Sequence, residues 1–182
     1  MKLQEPAKFA IIGAGSRGRS YAEFASENPD LAKLVGVAEP SEFSRKKLEQ
    51  QHQLASEHVF DDWRDAAAMD KFADAVVIST LDAMHAEPAV AFAKKGYHVL
   101  LEKPMAPSQK ECQRIVDMVN ANGVILAVGH VLLYSNYTQK LKSLLQAGTI
   151  GKIISIQHLE PVGFWHHAHA FVRGNWRSET ES

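Results

Sequence analysis

The sequence predicts an α/β fold with a doubly wound parallel sheet. Three observations lead there. Short apolar runs alternate with helical patterns along most of the chain, and the runs are apolar almost throughout rather than at every second position. The first of them, Phe9-Ala10-Ile11-Ile12, leads into Gly13-Ala14-Gly15-Ser16-Arg17-Gly18, a glycine-rich turn that opens a helix. Near-continuous apolar strands belong to a sheet covered on both faces, and strands separated by helices belong to parallel crossovers.

Taken in order, the first strand is expected over 9–13 and the following helix over 17–28, with Tyr21, Phe24 and Ala25 on one face and Asn28-Pro29 as its stop. Leu34 to Ala38 reads as a buried second strand, 41–54 as a helix, 58–60 as a third strand and 62–69 as a short helix. Ala75-Val76-Val77-Ile78 is a fourth strand, 84–95 a helix, His98-Val99-Leu100-Leu101 a fifth strand, 108–122 a helix and Val124 to Val128 a sixth strand. Ser108 with Glu111 forms a capping box, and Asn122-Gly123 supplies a stop. Cys112, Ile115, Val116 and Val119 fall at i, i+3, i+4 and i+7, so this cysteine reads as a core residue.

Beyond residue 129 the context changes. Tyr137, Leu141, Leu144 and Leu145 mark an amphipathic helix ending at Gly148, and Lys152 to Leu159, with Ile153, Ile154 and Ile156, is expected as a strand opening a second α/β domain.

The glycine turn carries the functional reading. Gly13 permits the tight strand-to-helix turn, Gly15 lets the backbone approach a diphosphate, and Gly18 lets the helix pack closely on the sheet. The unpaired N–H groups of the helix start, around Ser16 and Arg17, then face the phosphates. Glu39 closes the second strand, where a carboxylate accepts hydrogen bonds from the adenosine ribose and repels a 2′-phosphate. The turn therefore predicts a Rossmann-type sheet of order 3-2-1-4-5-6 that binds NAD in preference to NADP. Arg45 and Lys46 leave a second possibility open, since they lie near enough in sequence to hold a 2′-phosphate; the alternative is that they form the exposed side of the next helix. With strands ~4.8 Å apart, the end of the fifth strand lies roughly 10 Å from the glycine turn, about the reach from diphosphate to nicotinamide. Chemistry is thus expected at Ser79-Thr80-Leu81-Asp82-Ala83-Met84-His85 and at Glu102-Lys103-Pro104.

Composition excludes several other classes. Twenty basic and twenty-one acidic residues among 182 give a net charge of −1, so no overall field attracts nucleic acid or an anionic membrane. A single cysteine forms no internal disulfide. The N-terminal Met-Lys-Leu-Gln-Glu-Pro lacks an apolar h-region, and no apolar run approaches the ~20 residues of a membrane span. A cytoplasmic location is the default expectation.

Together, the glycine turn, the Ser-Thr-Leu-Asp-Ala-Met-His segment and Glu102-Lys103-Pro104 resemble the Gfo/Idh/MocA family of glucose–fructose oxidoreductase and inositol 2-dehydrogenase. His85-Ala86-Glu87, the run from Lys95 to Pro104 and Gly148-Thr149-Ile150-Gly151-Lys152-Ile153 follow the family's phrases in order. The resemblance implies hydride transfer between a nicotinamide and a secondary alcohol of a sugar, cyclitol or polyol. It makes Lys103 the active-site lysine, its proton affinity lowered beside an oxidised nicotinamide, with Glu102 orienting it and Pro104 fixing the loop through a cis peptide bond. Thr80, Asp82 and His85 occupy the stretch that lines the nicotinamide and its ribose. For His85, capping and packing at the helix start is an equal alternative.

Residues 1–128 are accordingly expected as an NAD(P)-binding domain and 129–182 as the incomplete beginning of a substrate and oligomerisation domain, through which copies associate. The family's second domain continues further and supplies a catalytic histidine and an acid, so the chain reads as the truncated N-terminal part of a longer enzyme. Residues near 153–177 are then expected to be disordered, to pair with another copy, or to belong to a longer protein. The family often carries arginine near Leu133, a second departure. Metal binding by His166-His167-Ala168-His169 is not expected, because these histidines cannot all point one way on a regular strand and no acid or cysteine is spaced beside them. Phe164-Trp165 and Trp176 read as core or subunit-contact residues. Two alternative functions remain, a non-catalytic NAD-binding regulatory module and a relative that uses NAD transiently during glycoside cleavage.

Overall fold

A computed structural model of the chain describes residues 5–168 and 172–174. Strands β1 (Ala7–Ile12), β2 (Ala32–Ala38), β3 (Val59–Phe60), β4 (Ala75–Ile78), β5 (His98–Leu101) and β6 (Leu126–Val128) form one sheet in the order β3-β2-β1-β4-β5-β6. Every neighbouring pair is parallel. The helices are α1 (Ser16–Glu27), α2 (Glu42–His52), α3 (Trp63–Ala68), α4 (Ala86–Lys94), α5 (Gln109–Ala121), α6 (Asn136–Gln146) and the single turn α7 (Phe164–His167). The doubly wound α/β fold and its strand order are those the sequence predicts.

Alternate residues of each strand serve opposite faces. Ala10 and Ile12 of β1 join Val76, Ile78, Val99 and Leu101 against Phe92 of α4 and Ile115 and Val119 of α5. Phe9 and Ile11 join Leu34, Val37 and Val77 against Ala22 and Ala25 of α1 and Leu48 of α2. Both sets are buried, which is why these strands carry unbroken apolar runs. Each buried Val, Leu, Ile or Phe side chain among them contributes roughly 1.5–3 kcal/mol of burial free energy. Cys112 packs against the first core from the expected stripe.

Chain contacts divide the molecule into two units, Met1–Gly129 and His130–Ser182. The sheet belongs wholly to the first. In the second unit, residues 152–163 carry no regular secondary structure, so the strand expected over 152–159 is not formed. Ile154, Ile156 and Leu159 are 85%, 79% and 79% exposed. A strand needs a neighbour to take its N–H and C=O groups, and among the described residues this unit offers none. Helix α6 forms as expected but buries no residue fully. Trp176 and His169 lie outside the described residues.

Smaller corrections have local causes. Gly13 lies just past β1 with φ +93°, so it belongs to the turn rather than the strand. Phe24 is 48% exposed, because Gly18, Ala22 and Ala25 form the inner face of α1. The helix expected over 84–95 begins as a 3₁₀ turn at Asp82–Met84 before α4 starts.

Candidate functional site

The carboxyl ends of five strands stop in register. The residues that follow form a row, each donating its N–H to the last carbonyl of the neighbouring strand: Gly13 to Ala38 (2.9 Å), Glu39 to Phe60 (3.0 Å), Ser79 to Ile12 (2.9 Å), Glu102 to Ile78 (2.9 Å) and Gly129 to Leu101 (2.8 Å). The residues singled out from the sequence cluster along this edge because parallel pairing sends every strand in one direction.

The glycine turn is built by exclusion. A Cβ on Gly13 would stand 2.8 Å from the Ser79 carbonyl oxygen, and one on Gly18 would stand 2.2 Å from that of Gly13. Ser79 Oγ ties the turn by donating to the Gly13 carbonyl at 2.7 Å. At Gly15 the situation reverses, since no atom beyond its own chain neighbours lies within 4 Å of a Cβ position. Gly15 is the N-cap of α1, with no side-chain cap and no acid in the first turn. Helices α2, α3, α5 and α6, by contrast, start at Ser41, Asp62, Ser108 and Ser135, whose side chains accept a first-turn N–H. The start of α1 around Ser16 and Arg17 is thus an exposed cradle of backbone amides with room for an anion.

Glu39 closes one side of that cradle. Its Oε2 accepts from Ala14 N–H at 2.7 Å and its Oε1 from Ser41 N–H at 2.8 Å, so the carboxylate stands beside the turn. Arg45 folds back on the same strand end, donating to the carbonyls of Glu39 (2.5 Å) and Pro40 (3.2 Å). Lys46 pairs with Glu42 on the exposed side of α2.

The loop after β5 is held from two sides. Glu102 is 5% exposed, and its Oε1 accepts from Tyr21 Oη at 2.7 Å and from Arg17 Nε at 2.9 Å. Burial pushes its carboxyl up, but the bonds from Tyr21 and Arg17 outweigh this and hold it below the ordinary carboxylate range. Its Oε2 accepts the Lys103 N–H at 3.2 Å, so it is the backbone of Lys103 that Glu102 holds, while the lysine side chain is exposed. The Lys103–Pro104 bond is cis. His85 is fully buried, with Nδ1 2.8 Å from the Pro104 carbonyl oxygen and Nε2 3.2 Å from that of Thr80. Both partners are carbonyl oxygens, so the protonated ring nitrogen donates, and the ring packs the post-β4 and post-β5 segments together. Thr80 Oγ1 donates to the Met84 carbonyl at 3.2 Å, and Asp82 is buried at the start of the 3₁₀ turn.

Tyr21 was legible from the sequence only as a packing residue. The signal that could have found it is its spacing of four from Arg17, which sets both on one face of α1. Ser79 was likewise visible as a segment member, without its contact to Gly13. Among the described residues no group of three or more His, Cys, Asp or Glu could hold a metal ion, and no helix is long and apolar enough to cross a membrane.

The sequence pattern of a known oxidoreductase family with an NAD-binding Rossmann fold, Gfo/Idh/MocA, matches residues 7–130. The chain belongs to this family. Among Gfo/Idh/MocA relatives it is 35% identical to scyllo-inositol 2-dehydrogenase (NADP(+)) IolU of Bacillus subtilis (strain 168), over 79% of this chain and 43% of that protein. It is 31% identical to 2,7-anhydro-N-acetylneuraminate hydratase of Escherichia coli (strain K12), over 81% of this chain and 38% of that protein. Among solved structures, the WlbA dehydrogenase of Bordetella pertussis, in complex with NADH and UDP-GlcNAcA, superposes with a TM-score of 0.75 at 25% identity, covering 84% of this chain and 44% of that one. The chain thus spans less than half the length of each of these relatives.

Proposed function

We propose that the chain is the nicotinamide-binding part of an oxidoreductase that moves hydride between NAD and a secondary alcohol of a sugar, cyclitol or polyol. The observation that carries this reading is the uncapped start of α1 at Gly15, open in front and flanked in one row by Glu39 and the Lys103 loop. In this reading residues 1–128 hold the dinucleotide, and 129–182 begin the part that meets substrate and a second copy. The implied location is the cytoplasm.

The amides of Gly15, Ser16 and Arg17 bind the diphosphate, while Gly13 and Gly18 supply the backbone path that brings them there. Glu39 accepts the adenosine ribose hydroxyls. Arg45 donates to the Glu39 and Pro40 carbonyls and Lys46 pairs with Glu42, so in this reading the group a 2′-phosphate meets first is the Glu39 carboxylate. The bound cofactor supplies a hydride acceptor or donor. Lys103 Nζ exchanges a proton with the substrate hydroxyl, Glu102 fixes the lysine backbone, and Thr80 and Asp82 border the nicotinamide end. His85 acts behind them, holding the two segments in place.

Calorimetric titration of the chain with NAD and NADP tests the assignment. NAD binds more tightly, and Glu39→Ala erodes the difference. Equal affinity of the unmodified chain for both would remove Glu39 from cofactor choice, and no binding of either would overturn the proposal.

A further inference from the structure

We propose that Tyr21 is a positioning residue which, with Arg17, ties the phosphate-facing start of α1 to the Glu102-Lys103-Pro104 loop and so fixes where Lys103 emerges. The inference rests on the reading of Lys103 as the proton carrier and deepens it. The buried Glu102 carboxylate accepts hydrogen bonds from two groups on α1 and from the Lys103 backbone. Arg17 and Tyr21 stand one helical turn apart, and the guanidinium carbon lies 5.5 Å from the centre of the Tyr21 ring, so the two donors brace each other.

A third element closes on the same carboxylate. A Cβ on Gly129, just past β6, would come within 3.1 Å of Glu102 Oε1 and 3.3 Å of Tyr21 Oη. A methyl group beside the Tyr21–Glu102 bond would therefore make the carboxylate or the phenol give by a few tenths of an ångström. On the far side, Pro104 is held by the His85 ring. Lys103 is exposed between two anchored neighbours, so its direction is inherited from them. Tyr21 stays a proton donor because burial and the adjacent Glu102 raise its hydroxyl above the ordinary phenol range.

The test compares the full chain with Tyr21→Phe, which removes one hydroxyl and keeps the ring, and with Gly129→Ala, which crowds the same carboxylate from the other side. The readouts are residue-resolved amide exchange and the NMR titration of the Glu102 carboxyl, each with and without NAD. Tyr21→Phe is expected to speed exchange of the Lys103 amide by about tenfold and to raise the Glu102 titration, leaving Ile11 and Val77 at their original rates. Gly129→Ala is expected to speed the same Lys103 amide. Unchanged Lys103 exchange in Tyr21→Phe, or acceleration spread equally over Ile11 and Val77, would reduce Tyr21 to ordinary packing and overturn the proposal. Failure of the unmodified chain to bind NAD, with the Lys103 contrast intact, would count against the cofactor reading and leave the clamp standing.

Discussion

Gly13 and Gly15 share one turn but answer to different neighbours, Gly13 to the protein's own atoms and Gly15, in the proposed reading, to the bound dinucleotide. Gly13 has φ +93° and the Ser79 carbonyl 2.8 Å from any Cβ, so Gly13→Ala is expected to lower stability by about 2 kcal/mol or more in urea unfolding. Gly15 has an ordinary φ of −65° and open space, so Gly15→Ala should leave the melting temperature in place while weakening NAD binding by about tenfold. Coincident losses at both positions would contradict this division. Glu102 makes a pH prediction of the same kind. Its folded-state pKa is lowered, so its stabilisation is fully present above the unfolded value of about 4.3 and fades as pH falls through the folded one. Melting temperatures measured from neutral to acidic pH should fall more steeply for the unmodified chain than for Glu102→Gln.

Elements were legible where a pattern repeats and opaque where a single contact decides. Val76-Val77-Ile78 could be assigned to a buried strand because both of its faces meet cores, and Ser108 to a cap because its side chain has one local donor to satisfy. Ser108 Oγ accepts the Glu111 N–H at 3.2 Å and donates to the Glu111 carboxylate at 2.8 Å, so the carboxylate closes the box on the hydroxyl. Ser108→Ala is accordingly expected to cost about 1 kcal/mol in unfolding free energy. Lys152 to Leu159 misled because strand propensity is local while strand formation is not; three isoleucines without a partner strand stay exposed coil. At the candidate site, the glycines, Glu39 and the Lys103 loop were visible because their chemistry is tied to strand ends. The spacing of four between Arg17 and Tyr21 marks a shared helix face, but their common partner Glu102 lies 81 residues beyond Tyr21 and is reached only in the folded chain.

At the scale of the whole molecule, the sheet, the glycine turn and Lys103 all lie in Met1–Gly129, whereas residues 152–163 are exposed and without regular structure. Limited proteolysis should therefore cut first within 152–163 and leave a large N-terminal product that still binds NAD; initial cleavage inside the sheet would contradict the division. In the proposed reading a dinucleotide lies across the carboxyl edge with its diphosphate on the start of α1. Amide chemical shifts recorded during an NAD titration test it most directly. The largest changes are expected on Gly13 to Gly18, Glu39 and the Glu102-Lys103 loop. Saturable binding whose shifts leave those amides untouched would contradict it.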